Sequence, residues 1–307
     1  MVSANPAHEA ALQSVTPRLI YDLFTKRSSV LAGKTISFVL LCAVFLFFTL
    51  AAPRHIWADI NVAGSSTILP IVRDAAKAFY GLTGIRVVAK GGGSRAGIRA
   101  ALEGTTDIGM VSRSLTSEEA EKLQAHLIGH DGIAVILNST IPLNKISRQQ
   151  VVDIYSGAIK NWKALGGKDM EITVIAKKDG RATRRLFDHF FSPKKTVSTA
   201  HLVGSNVEAI ILVAGDPTAV GYVSIGSAEH AVALGLQLKL LALDGVEATS
   251  NNVASKKYPL LRPLNLATLG KPGEDARRFI EFLRSRRGQG LVEKNHFVMI
   301  NTEGTVK

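Results

Sequence analysis

The chain has 307 residues, with 37 Lys and Arg against 25 Asp and Glu, a formal charge of +12. With 46% hydrophobic and 20% charged residues its composition is globular, which excludes a disordered or low-complexity chain. A basic balance points to nucleic acid, an anionic membrane surface or anionic ligands. Aromatic residues make up only 6%, and neither zinc-finger spacing nor an RNA-binding aromatic motif occurs, so nucleic acid is set aside as a partner.

The amino-terminal segment, 1–58, reads as a leader. Residues 36–52 form an uncharged apolar run preceded by Lys26, Arg27 and Lys34 and followed by small residues, the pattern of an export signal. The run is 17 residues long, at the lower limit for crossing a bilayer, so a cleaved signal and a retained anchor both stay open. Cleavage after Ala58 or near Ala51 fits the small residues there. The single cysteine, Cys42, lies inside this run, so no intramolecular disulfide and no thiolate metal site is expected. Residues 59–307 retain 32 basic against 23 acidic side chains, a net charge of +9. That suits an anionic ligand, and equally a solvated basic surface.

Residues 60–63 read as a strand running into Gly64-Ser65-Ser66-Thr67. Apolar residues at helical spacing, Ile71, Ala75, Ala78 and Phe79, predict a helix over 69–80. A second strand, 86–89, breaks at a glycine run ahead of a helix through 98–102. A third strand, 107–111, precedes Ser114 and Thr116, either of which is placed to cap an acidic helix over 117–125. A fourth strand follows at 132–137, and a helix near 275–287 sets Phe279, Ile280 and Leu283 on one face. Strands alternating with helices predict an α/β fold with largely parallel sheets.

Three strand-to-helix turns share a chemistry: GSST at 64–67, GGGSRAG at 91–97 and DGRATRR at 179–185. A helix N-terminus offers unpaired N–H groups and a partial positive charge, and ligands of open parallel sheets sit beyond the carboxyl ends of the strands. One glycine-rich turn is usually a tight connection only; three that also carry hydroxyls point to an oxyanion. No turn has the lysine of a nucleoside-triphosphate loop or the spaced glycines of a dinucleotide fingerprint.

In this order and spacing the segments GSSTILP, GGGSRAGI, DIGMVSRSL, IPLNKISRQQVVDIYSGAIKNW, VGYVSIGSA (220–228) and YPLLRPL (258–264) resemble the periplasmic phosphate-binding proteins of ABC transporters. The resemblance covers nearly all of 59–303. It implies a type II periplasmic-binding fold of two lobes, each a mostly parallel sheet flanked by helices, with the ligand in the cleft between them. The first lobe is expected from 59–137 with 224–307, the second from 138–223, and the hinge at crossover strands near 133–137 and 221–223. By similarity, Ser66, Thr67, the Ile68 backbone, Ser94 and Asp107 come to the ligand from the first lobe. Lys177, Arg181, Ala182 and Thr183 come from the second, and Arg95 and Arg113 are further candidates beside these turns.

In that reading Asp107 accepts the proton of hydrogen-phosphate and repels fully ionised sulfate. The second-lobe turn departs from the family's arginine followed by Gly-Ser-Gly-Thr. Lys177 stands where the arginine is expected, Arg181 replaces the serine and Ala182 the second glycine. Lysine lacks the bidentate fork. Arg181 either restores a guanidinium from a shifted position or, by its bulk, adapts the cleft to a larger anion.

The resemblance further implies inorganic phosphate or a similar oxyanion as ligand, an ABC permease in the inner membrane with its ATPase as partners, a monomer in the periplasm, and neither cofactor nor metal. An enzyme of phosphate compounds lacks its residues. The eight histidines show no metal spacing, and Asp153, Asp188 and His189 fall in apparent helices without a nucleophile–base set. An anchored sensor or adhesion protein of the same fold, holding a different or larger anion, stays open on the leader and the altered turn.

Overall fold

The computed structural model describes residues 59–192 and 199–300. The leader, with the alternatives of cleavage and anchoring, lies outside the described residues. Among those described, no helix is long and apolar enough to cross a membrane.

The chain opens with β1 (Ile60–Gly64), α1 (Leu69–Thr83), β2 (Val87–Gly91), α2 (Ser94–Leu102), β3 (Ile108–Val111) and α3 (Ser117–Lys122). A long strand, β4 (Leu123–Asn138), carries it onward to β5 (Lys145–Ile146), α4 (Arg148–Ser156), β6 (Thr173–Lys177), α5 (Ala182–Phe191) and β7 (His201–Val203). Then come α6 (Asn206–Gly215), β8 (Ala219–Ser224), α7 (Ile225–Ala233), β9 (Leu238–Leu240), β10 (Ala242–Leu243) and α8 (Ser250–Ala254). Last are β11 (Leu261–Leu269), α9 (Glu274–Arg284) and α10 (Arg286–Lys294).

Two apolar cores divide these elements into two lobes. In the first, α1 buries Ile71, Val72, Ala75 and Phe79, the stripe its 3.6-residue period dictates, and Phe79 meets Phe279 of α9 edge-on at 5.3 Å. Ile60, Val62, Ile108, Leu264 and Val292 complete this core. Each such Ile, Leu, Val or Phe side chain stabilises the fold by about 1.5–3 kcal/mol when fully buried. The second core gathers β4 from Ile133 onward with Trp162, Val174, Phe187 and Tyr222, the last two stacked at 3.8 Å.

The strand order is β2-β1-β3-β11-β4-β8-β6-β7, with β9 also on β4. β1 runs parallel to β2 and β3, and β6 parallel to β7 and β8, as the alternating pattern predicts. β4 and β11 run antiparallel to their neighbours, so the sheets are mixed rather than largely parallel. β4 pairs with β11 from Leu123 to Gly132, then turns to β8 from Ile133 to Leu137. This long pairing also ends α3 at Lys122, three residues before its expected end. The ladder with β11 overrides the intrinsic helical preference of Leu123, Gln124 and Ala125. Thr116 caps α3 in a capping box with Glu119.

The packing moves the expected lobe boundary. Ile225, Ala228, Leu238, Leu241, Val253, Tyr258 and Leu260 belong to the second core, because β9 pairs with the far half of β4 and draws its flanking helices with it. The return to the first lobe falls at β11, not at 224. The crossing strands are β4 at Gly132–Ile133 and the start of β11, joined where the Ile133 N–H donates to the Leu260 carbonyl at 2.9 Å. The stretch 221–223, expected at the hinge, lies in β8 inside the second sheet.

α2 lies directly on β1 and β3, where a Cβ at Gly97 would stand 2.7 Å from the Ala63 carbonyl oxygen and 2.8 Å from the Gly64 Cα. Gly97→Ala is therefore expected to cost about 1–3 kcal/mol, read as a lowered thermal midpoint.

Candidate anion-binding site

β1, β2 and β6 each end in a turn that opens a helix, respectively α1, α2 and α5. Their N-cap residues, Ile68, Gly93 and Arg181, make no side-chain capping hydrogen bond. Elsewhere Thr116, Ser147, Ser205, Ser224, Thr249 and Ser285 cap α3, α4, α6, α7, α8 and α10 through their side chains; among the described residues α9, behind Gly273, is the other α-helix without such a cap. An uncapped N-terminus leaves N–H donors and the positive end of the helix dipole for an incoming acceptor. The ends of α2 and α5 meet across the lobes. The Arg95 N–H donates to the Gly180 carbonyl at 3.3 Å, and Arg181 lies over Gly93, where a Cβ would stand 2.9 Å from its Cδ.

Between these turns sits Arg262, 1% exposed, at the start of β11. Its Nε and Nη2 both donate to Asp131 Oδ2, at 3.0 and 2.7 Å, and Asp131, on β4, is 2% exposed. Nη1 donates to Thr183 Oγ1 at 3.0 Å and Ser112 Oγ at 3.4 Å, and Nη2 to Thr67 Oγ1 at 3.2 Å. Asn206 Nδ2 donates to the same Thr67 oxygen at 3.2 Å. Ser112 accepts from Ser65 at 2.9 Å and its N–H donates to Ser94 Oγ at 3.1 Å. One guanidinium thus gathers hydroxyls from both lobes, and it does so where the crossing strands pair.

Lys177, the last residue of β6, is buried beside this network, with its Nζ donating to the Ser205 carbonyl. Burial pulls its pKa down from 10.5 to about 7, Arg262 and Arg181 push the same way, and Glu208 opposes them. A buried arginine, a buried lysine, three uncapped N-termini and rotatable hydroxyls make a site that complements a small oxyanion. Among the described residues no group of three or more His, Cys, Asp or Glu is placed to hold a metal ion.

The structure brings Thr67, Ser94 and Thr183 into the network, with Ile68 and Ala182 at the helix starts beside them. Ser66 is half-buried in the first turn, and Arg181 is half-buried across Gly93. Arg95 is exposed outside the network, while Arg113 is committed to Glu119 through two bonds of 2.7 and 2.8 Å. Asp107 is not brought to the site. It is exposed at the amino end of β3, where its Oδ2 accepts from the Asn61 N–H at 2.7 Å. Five residues separate it from Ser112 at the carboxyl end, roughly 16 Å at ~3.3 Å per residue. Asp107→Asn is accordingly expected to leave anion affinity within about twofold in a direct titration, as surface substitutions usually do.

Ser65, Ser112, Asp131, Asn206 and Arg262 escape the sequence reading. Asp131 and Arg262 do carry a local signal, since each is the one Asp, Glu, Lys or Arg of its strand, and such charges are buried only when paired.

Residues 49–287 match the family model of the PBP superfamily domain. The phosphate-binding protein PstS of Bacillus subtilis is 28% identical over 233 residues, covering 74% of this chain and 75% of that protein. Among solved structures, a protein described as a phosphate ABC transporter substrate-binding protein from Clostridium perfringens, with bound phosphate, is similar at a TM-score of 0.74. It is 32% identical, with 80% of this chain and 100% of that one covered. An ABC-type phosphate transport receptor from Vibrio cholerae follows at a TM-score of 0.66 and 30% identity, over 79% of this chain and 100% of its own. At these identities and coverages the chain belongs to the PBP superfamily, among the phosphate-binding proteins of ABC transporters.

Proposed function

We propose that the protein captures inorganic phosphate outside the inner membrane and presents it to an ABC permease, acting as a monomeric receptor rather than an enzyme. One observation carries this reading: three uncapped helix N-termini open onto one buried arginine whose hydrogen bonds reach both lobes. Phosphate oxygens take up the Thr67, Ser94 and Thr183 hydroxyls and those N–H groups at the starts of α1, α2 and α5 that backbone carbonyls leave open. Arg262 and Lys177 supply the opposing charge. Because Arg262 bonds Thr67 and Ser112 of the first lobe and Thr183 of the second, closing the lobes and assembling the site are one event. The relatives reported above are binding proteins, and the network contains no base poised on a nucleophile.

The test is calorimetric titration of the purified protein, stripped of bound anion, with phosphate. One site per chain is expected. A chain that gives neither heat nor a thermal shift with phosphate sinks the reading.

A further inference from the structure

Just outside the Arg262 network lies a cavity of about 180 Å³ lined by Arg95, Arg113, Arg181, Arg184 and Arg185, with Asp179 and Asp188. It is roughly ten times the space that a single water needs. Two of these arginines are already engaged, Arg113 with Glu119 and Arg184 with Asp188. Arg95, Arg181 and Arg185 form no ion pair among the described residues. With Asp188 paired to Arg184, Asp179 is one carboxylate beside three such guanidinium groups in a concave space, so a surplus of positive charge remains there and concentrates anions.

The cavity and the buried network share the turns after β2, β3 and β6. Ser94 is in the network and Arg95 lines the cavity; Ser112 is in the network and Arg113 lines the cavity. On the third turn Thr183 is in the network, while Arg181 and Ala182 line the cavity. Each of these pairs is consecutive in the chain or nearly so, and the cavity therefore adjoins the network.

We propose that this cavity is a second anion subsite, so that the cleft also takes a condensed phosphate, of which inorganic diphosphate is the simplest. One phosphoryl group rests on the Arg262 network and the other among Arg95, Arg181 and Arg185. The inference rests on the phosphate reading of the buried site and extends it to a larger anion. Arg181, which replaces a small residue of the family pattern, gives the cleft its outer wall of positive charge.

The experiment is competition titration of the full chain, stripped of anion, with orthophosphate and diphosphate, wild type beside Arg95→Ala/Arg185→Ala. Both substituted residues are exposed and outside the Arg262 network. Orthophosphate affinity is expected to stay within about threefold, the residual effect of losing two screened charges. Diphosphate displaces orthophosphate at one site per chain and weakens roughly tenfold or more in the variant, the effect of losing charge-assisted hydrogen bonds. Orthophosphate binding without diphosphate binding overturns the second subsite and leaves the phosphate reading intact. Equal weakening of both anions also overturns it, since the cavity would then only steer anions inward. If neither anion binds wild type, the phosphate reading falls and this one falls with it.

Discussion

Arg262→Ala is expected to abolish measurable phosphate binding and to destabilise the fold by about 3–5 kcal/mol, the usual effect of stranding a buried charge. Asp131 would lose both bonds from Arg262 and keep only a 3.3 Å contact from the Gly226 N–H. Thr67, Ser112 and Thr183 would lose the guanidinium that donates to both lobes. Stability and binding separate in the double variant Asp131→Asn/Arg262→Met. Removing both charges together spares the stranded carboxylate, so much of the stability returns, while binding does not. Thermal unfolding beside phosphate titration reads the two effects. A double variant that binds phosphate like wild type would place the anion elsewhere.

Lys177 is expected to give anion binding a pH dependence of its own. In the free protein its pKa lies at about 7, because burial and the neighbouring Arg262 and Arg181 disfavour the ammonium more than Glu208 favours it. A bound anion favours the charged form and raises that pKa, so above pH 7 binding takes up a proton. Affinity then falls by up to tenfold per pH unit until the raised pKa is reached. Phosphate's own ionisation overlaps this window, and Lys177→Arg, charged throughout, isolates it. The wild-type curve is expected to drop more steeply than that of the variant above pH 7; parallel curves contradict the assignment. Without anion the same shift acts on folding. Between pH 7 and 10.5 the unfolded chain holds a proton that the folded chain has shed. Stability therefore rises with pH across that window relative to Lys177→Met.

The parts of the site legible in the sequence are those whose chemistry is local. A hydroxyl and glycines between a strand and an apolar-periodic stretch define a helix start by themselves, so Thr67, Ser94 and Thr183 are found without knowing the fold. Asp107 shows where this stops. It sits beside a strand that does lead to the site, but at the end away from it, and residue type does not reveal which end of a strand faces a ligand. Asp131 and Arg262 are 131 residues apart and meet only because β4 and β11 pair along their length. The same long-range pairing sets the end of α3, the mixed direction of the sheets and the return of the chain to the first lobe at β11. Each of these is decided by tertiary contacts that outweigh local preference.

Phosphate is expected where three uncapped helices open onto Arg262. A crystal structure of the protein grown with phosphate tests it most directly. One anion is expected within hydrogen-bond distance of Thr67, Ser94 and Thr183, with Arg262 still paired to Asp131. An anion bound elsewhere, or a closed cleft that stays empty in saturating phosphate, would contradict it.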